Sequence, residues 1–129
     1  MSQDDTPKVG TIVWTDLTVS DAEQIRDFYA EIVGWEPEAV DMGAYSDFTM
    51  NDADGVAVAG ECHARGTNAD LPRQWLMYVI VQDLDRSTTR STKLGGEVLV
   101  PPRAMGDTGR YSVIRDPAGA VVALFQTGA

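Results

Sequence analysis

The chain has 129 residues, enough for one domain with a sizeable core, and its 43% hydrophobic and 23% charged residues are ordinary for a globular protein. Ten basic residues against twenty acidic give a net charge of -10, a field that repels phosphate backbones and anionic lipid and so argues against nucleic-acid and membrane partners. No apolar run reaches the length of a membrane span. The start, Met1 to Lys8, is polar and acidic rather than signal-like, which predicts a cytoplasmic protein with a short frayed leader. Cys62 is alone, excluding an intrachain disulfide and a cysteine-based zinc site.

Gly10 to Val19 reads as a first strand, with Ile12, Trp14, Asp16 and Thr18 on one face and Val13, Thr15, Leu17 and Val19 on the other. Ser20-Asp21-Ala22-Glu23 has the form of a capping box with Ser20 as the cap. The helix it opens carries Ala22, Ile25, Phe28, Tyr29 and Ile32 along one stripe and stops at Gly34. A short strand over 35–40 follows, with Pro37 marking an edge or irregular position. Residues 45–50 form the next strand, and Asp52-Ala53-Asp54-Gly55 turns it into a fourth ending near His63.

Residues 64–73 are rich in Gly, Asn, Asp, Pro and charge and read as a linker. The order then repeats. A strand spans 74–81, and Asp83 caps a helix ending at Gly95-Gly96. Glu97 to Val100 is closed by Pro101-Pro102, Arg110 to Arg115 is another strand, and Asp116-Pro117-Ala118-Gly119 turns into the last, Ala120 to Gln126. Asp52 to Asp116 and Gly55 to Gly119 are both 64 residues apart, while Val19-Ser20-Asp21 precedes Val81-Gln82-Asp83 by 62, as Gly34 does Gly96. These offsets predict a single α+β domain over 1–129 built from two tandem β-α-β-β-β modules, about 9–63 and 74–127.

In Trp14-Thr15-Asp16-Leu17-Thr18-Val19-Ser20-Asp21, Phe28-Tyr29, Val33-Gly34-Trp35, Gly95-Gly96 and Asp116-Pro117-Ala118-Gly119, the sequence resembles the vicinal oxygen chelate superfamily of glyoxalase I, bleomycin-resistance proteins and extradiol dioxygenases. The resemblance covers essentially the whole chain. It implies that the paired modules form an open, curved sheet cavity, in which metal-using members hold an ion through four side chains, one near the start of each module and one on each module's last strand. Matched motif by motif, those positions fall on Trp14, Ala59 (Gly60 if the register slips by one), Leu76 and Ala123. None has a side chain that chelates a divalent cation, so the expected cofactor is none.

Strand parity assigns to the cavity face Trp14 and Asp16, then Ala57, Ala59, Glu61 and His63, then Leu76, Tyr78 and Ile80, and finally Val121, Ala123 and Phe125. Asp16, Glu61, Tyr78 and His63 are the candidates for acid-base work or a displaced oxygen-rich metal site. Trp14, Asp16, Tyr78 and Phe125 are candidates to hold a ligand. The resemblance makes the segment 101–110 a flap, from which Arg103 or Arg110 would hold a substrate carboxylate. His63 is the only histidine, and its place beside the linker reads as exposed. Three functions stay open: a metal-independent binder of a small organic molecule; a lyase, isomerase or dioxygenase-type enzyme using a displaced metal or metal-free acid-base residues; and a non-catalytic interaction module. The bleomycin-binding branch implies a homodimer.

Overall fold

The structure, a computed structural model, describes residues 7–128, so the acidic leader at 1–6 lies outside the described residues. Residues Trp14–Trp75 form one compact unit, and Leu76 onward, together with the chain before Trp14, forms the other. The first carries all but the first two residues of β1 (Ile12–Val19), then α1 (Ala22–Val33), β2 (Glu36–Asp41), β3 (Ser46–Asn51) and β4 (Ala57–His63). The second carries β5 (Leu76–Ile80), α2 (Leu84–Lys93), β6 (Glu97–Met105), β7 (Gly109–Arg115) and β8 (Val121–Thr127). Each module thus has the β-α-β-β-β order that the repeat predicts. No helix among the described residues is long and apolar enough to cross a membrane.

The repeated turns are built alike. In each, the first aspartate's Oδ1 accepts backbone hydrogen bonds from the residues two and four positions on: Asp54 and Val56 at 2.9 Å for Asp52, Ala118 and Ala120 at 2.8 and 3.0 Å for Asp116. Gly55 (φ 80°) and Gly119 (φ 94°) close them in the left-handed region, which a residue with a Cβ rarely adopts. Asp116→Ala leaves both donors to solvent, and we expect a loss of about 1–2 kcal/mol in urea unfolding, with an equal loss for Asp52→Ala.

The helices start and stop by the same devices, with two corrections. The cap of α1 is Asp21, whose carboxylate accepts from Gln24 N at 3.2 Å; Ser20 is not the cap, and Glu23 is drawn to His63 instead of closing a capping box. Asp83 caps α2 through Arg86 N at 3.1 Å, as expected. Gly34 ends α1 at φ 86°, but its counterpart in α2 is Gly95 at φ 95°, one residue before the predicted Gly96. The apolar stripe of α1 is also divided. Ala22, Ile25 and Tyr29 pack on the core with Leu17, Val19, Phe48, Met50 and Ala59, whereas Phe28 and Ile32 are 52% and 66% exposed.

Within the first module the strand order is β2-β3-β4-β1, with β1 and β4 parallel; within the second it is β5-β8-β7-β6, with β5 and β8 parallel. The edge strand β2 tolerates Pro37 because its outer side needs no donor. Edge strand β6 does not end at Pro101-Pro102. It runs on to Met105, and register shifts from Val98 to Val100 and from Val100 to Arg103 absorb the prolines. The segment read as a flap is therefore a β-hairpin joining β6 to β7.

Candidate functional site

In each module the helix covers one sheet face and leaves the other for side chains to line. Register decides which side chains those are. On β1, Asp16 stands beside Gly60 of β4, and Leu17 beside Glu61. Neighbours in a parallel pair share a face, so Gly60 belongs with Trp14 and Asp16, opposite α1. Ala59, Glu61 and His63 belong with Leu17 and Val19, on the α1 side.

The predicted parity of β4 therefore holds for Ala57, which shares a face with Gly60 and Asp16, but not for Ala59, Glu61 and His63. The cause is a bulge. Asn51 pairs with Ala57 but Met50 pairs with Ala59, so β4 holds one extra residue, Val58, and every side chain beyond it changes face. The matching β7–β8 pair of the second module has no such bulge: Arg115 pairs with Val121, Ile114 with Val122 and Val113 with Ala123 without interruption. There Leu76, Tyr78, Ile80, Ala123 and Phe125 share the face opposite α2, as predicted.

On the helix-free face of the first module, the Trp14 indole N–H donates to Asp16 Oδ1 at 2.5 Å. Both side chains are half-buried and lie over Gly60: a Cβ there would overlap Asp16 Oδ1 and come within 3.3 Å of Trp14 Nε1. An aromatic plate and a carboxylate are thus held together against a bare stretch of backbone. Cys62 also belongs to this face, beside Thr18; burial pushes its thiol pKa up, and the charges of Asp16, Asp47 and Glu61 add to that, which leaves it an inert thiol.

The helix-free face of the second module is aromatic. Tyr78 and Tyr111 lie 6.4 Å apart between ring centroids, and Phe125 stands beside Tyr111 in register. Arg103, opposite Tyr111 on β6, sets its guanidinium 5.9 Å from that ring, within cation-π reach. Arg110 is committed elsewhere. Its two terminal nitrogens each donate at 3.0 Å to one oxygen of Asp85 on α2, the hydrogen bond raising the arginine's pKa and lowering the carboxylate's.

Glu61 and His63 sit under α1. Glu61 is fully enclosed, neither carboxyl oxygen has a hydrogen-bond partner among the described residues, and burial lifts its pKa from 4.5 to about 8. His63 is not the exposed histidine its sequence context indicates. Its side chain is 11% exposed, with Nε2 2.9 Å from Glu23 Oε2 and Nδ1 3.2 Å from Asp47 Oδ1. Burial works against protonation, but the hydrogen bonds to Glu23 and Asp47 outweigh it and raise the pKa above 6.5. A ring held by carboxylates on both nitrogens favours the imidazolium and is a poor general base. In a proton NMR titration, the single histidine should titrate above its ordinary value, and Glu23→Gln should move its midpoint down.

The residues present do not fit the family's metal. Its four positions fall on Trp14, Gly60, Leu76 and Ala123, none of which offers a side-chain donor suited to a divalent cation. The displaced alternative is not assembled either, because Glu61 and His63 face away from Asp16. Among the described residues, no group of three or more His, Cys, Asp or Glu is arranged to hold a metal ion.

The profile of the Glyoxalase/Bleomycin resistance protein/Dioxygenase superfamily matches residues 11–124, and the chain belongs to that superfamily. It is 35% identical over 121 residues to the candidate glyoxylase CFP32 of Mycobacterium tuberculosis, covering 91% of this chain and 46% of that protein. It is 30% identical over 131 residues to the anthracycline biosynthesis protein DnrV of Streptomyces peucetius, covering 92% and 48%. The chain thus spans about half the length of these curated relatives. Among solved structures, methylmalonyl-CoA epimerase from Mycobacterium tuberculosis shares the fold, with a TM-score of 0.55 at 16% identity over 93% of this chain and 89% of that one.

Proposed function

We propose that the chain binds a small, flat organic molecule on the helix-free sheet face of its first module and does so without a divalent metal. The observation that carries this reading is the Trp14–Asp16 pair over Gly60, which presents an aromatic surface and a fixed carboxylate where the family places a metal ligand. The second module's helix-free face, taken by itself, offers related chemistry in Tyr78, Phe125 and Arg103: flat apolar walls with one cation. The name of the relative DnrV, an anthracycline biosynthesis protein, supports a polycyclic aromatic ligand. The reading includes a cytoplasmic location and a homodimer, the latter supported by the exposed Ile32, Val33 and Val40 and by relatives about twice as long as this chain.

Thermal-shift measurements with an anthracycline and its aglycone, and separately with zinc, nickel, manganese and iron, test it. The expected result is a rise in melting temperature with the aromatic compounds, lost in Trp14→Ala, and none with the metals. Stabilisation by a metal and not by an aromatic compound would overturn it in favour of metal-dependent catalysis.

A further inference from the structure

A second feature, independent of the helix-free faces, lies along the edge of α1 beside β1. An open cavity of about 280 Å³ lies between α1, the end of β1 and the segment entering β5. Its walls include Val19, Ile25, Phe28, Tyr29 and Trp75, and Arg73 stands among its lining residues. The aromatic part is rigid. Trp75 meets Tyr29 edge-to-face at 5.1 Å and Trp35 at 5.5 Å, so the indole is fixed in place before any ligand arrives.

Two polar groups at this mouth, the half-buried Tyr29 and the exposed Arg73, have donors to offer a ligand. The Trp75 indole N–H donates to the Tyr29 hydroxyl at 3.1 Å, which uses that oxygen as an acceptor and leaves its own O–H to donate. No acceptor for that proton appears among the described residues. Arg73 likewise has no carboxylate partner among them, although the chain carries twice as many acidic as basic residues. A fixed aromatic wall, a hydroxyl donor and an unpaired guanidinium are complementary to one chemistry, a planar ring bearing a carboxylate. The exposure of Phe28, 52% despite its place on the apolar stripe, follows if its ring forms one side of this mouth.

We propose that this cavity binds a small aromatic carboxylic acid, its ring against Trp75 and Phe28, with its carboxylate accepting from Arg73 and the Tyr29 hydroxyl. The test uses 15N-labelled protein titrated with 2-naphthoate and, in parallel, with its neutral analogue 2-naphthamide, reading the indole N–H resonances. A saturable shift of the Trp75 resonance is expected, at least tenfold weaker for the amide and at least tenfold weaker for naphthoate in Arg73→Gln. Trp14→Ala should leave this titration unchanged, which separates the site from the helix-free face. No Trp75 shift, equal binding of acid and amide, or an unaffected Arg73→Gln would overturn the proposal. So would a Trp75 resonance that moves with protein concentration alone, because a second copy would then cover the cavity.

Discussion

Glu61→Met should make the protein more stable, and increasingly so as the pH rises. The carboxyl group is enclosed, its oxygens have no hydrogen-bond partner among the described residues, and burial places its pKa at about 8 against 4.5 for the free group. The folded state therefore keeps a proton across an interval in which the unfolded chain has lost it. The cost to stability is absent below pH 4.5, grows as the pH rises, and is complete above about 8. That interval of about 3.5 units, at 1.36 kcal/mol each, sets a ceiling of roughly 5 kcal/mol. Arg26 and His63 favour the charged form, while Asp47 and Glu23 oppose it.

Methionine is of similar length, brings no charge and leaves no polar atom unpaired, so we expect a gain of about 3 kcal/mol at pH 8 and far less at pH 5, read by urea unfolding. An equal effect at both pH values would contradict a proton-linked cost. His63 adds a second slope of the same sign. Its raised pKa gives a contribution that is full below 6.5 and lost as the pH climbs through the folded value, so some pH dependence should survive in Glu61→Met.

The sequence carries the fold almost completely and the site only in part, and the difference lies in the range of the interactions. The aspartate turns, the caps at Asp21 and Asp83 and the stop at Gly34 are made within a few residues, so residue type and spacing reveal them. The partners of His63 lie 16 and 40 residues away, beyond the reach of any local pattern. The bulge at Val58 has no mark in Ala57-Val58-Ala59, three small or apolar residues that suit either face. A signal did exist at Gly60. A glycine inside an alternating strand points to a close approach, and here the approaching group is Asp16. Pro101-Pro102 misleads for a related reason: proline ends a central strand, but β6 is an edge whose outer side needs no donor.

Gly60→Ala is the sharpest test of the proposed site, because it alters one methyl group next to Glu61 but on the opposite face. The backbone of Gly60 is not in the left-handed region, so alanine is conformationally acceptable and the cost is steric. The new Cβ overlaps Asp16 Oδ1, the atom that accepts from Trp14, and the pair must separate or the strands must shift. We expect a loss of about 2 kcal/mol in urea unfolding, a displaced Trp14 indole resonance, and at least a tenfold loss of affinity for any ligand held by that pair.

Asp16→Ala removes the obstructing carboxylate, so Gly60→Ala should cost little in that background. The two changes should show a coupling of about 1–2 kcal/mol in a double-mutant cycle. A Gly60→Ala protein with full stability and an unmoved Trp14 resonance would mean that the carboxylate does not lie over the glycine. The proposed site would then lose the feature that defines it. If the coupling appears, the extra residue in β4 explains the arrangement: it turns Glu61 toward α1 and places a residue without a side chain beneath Asp16.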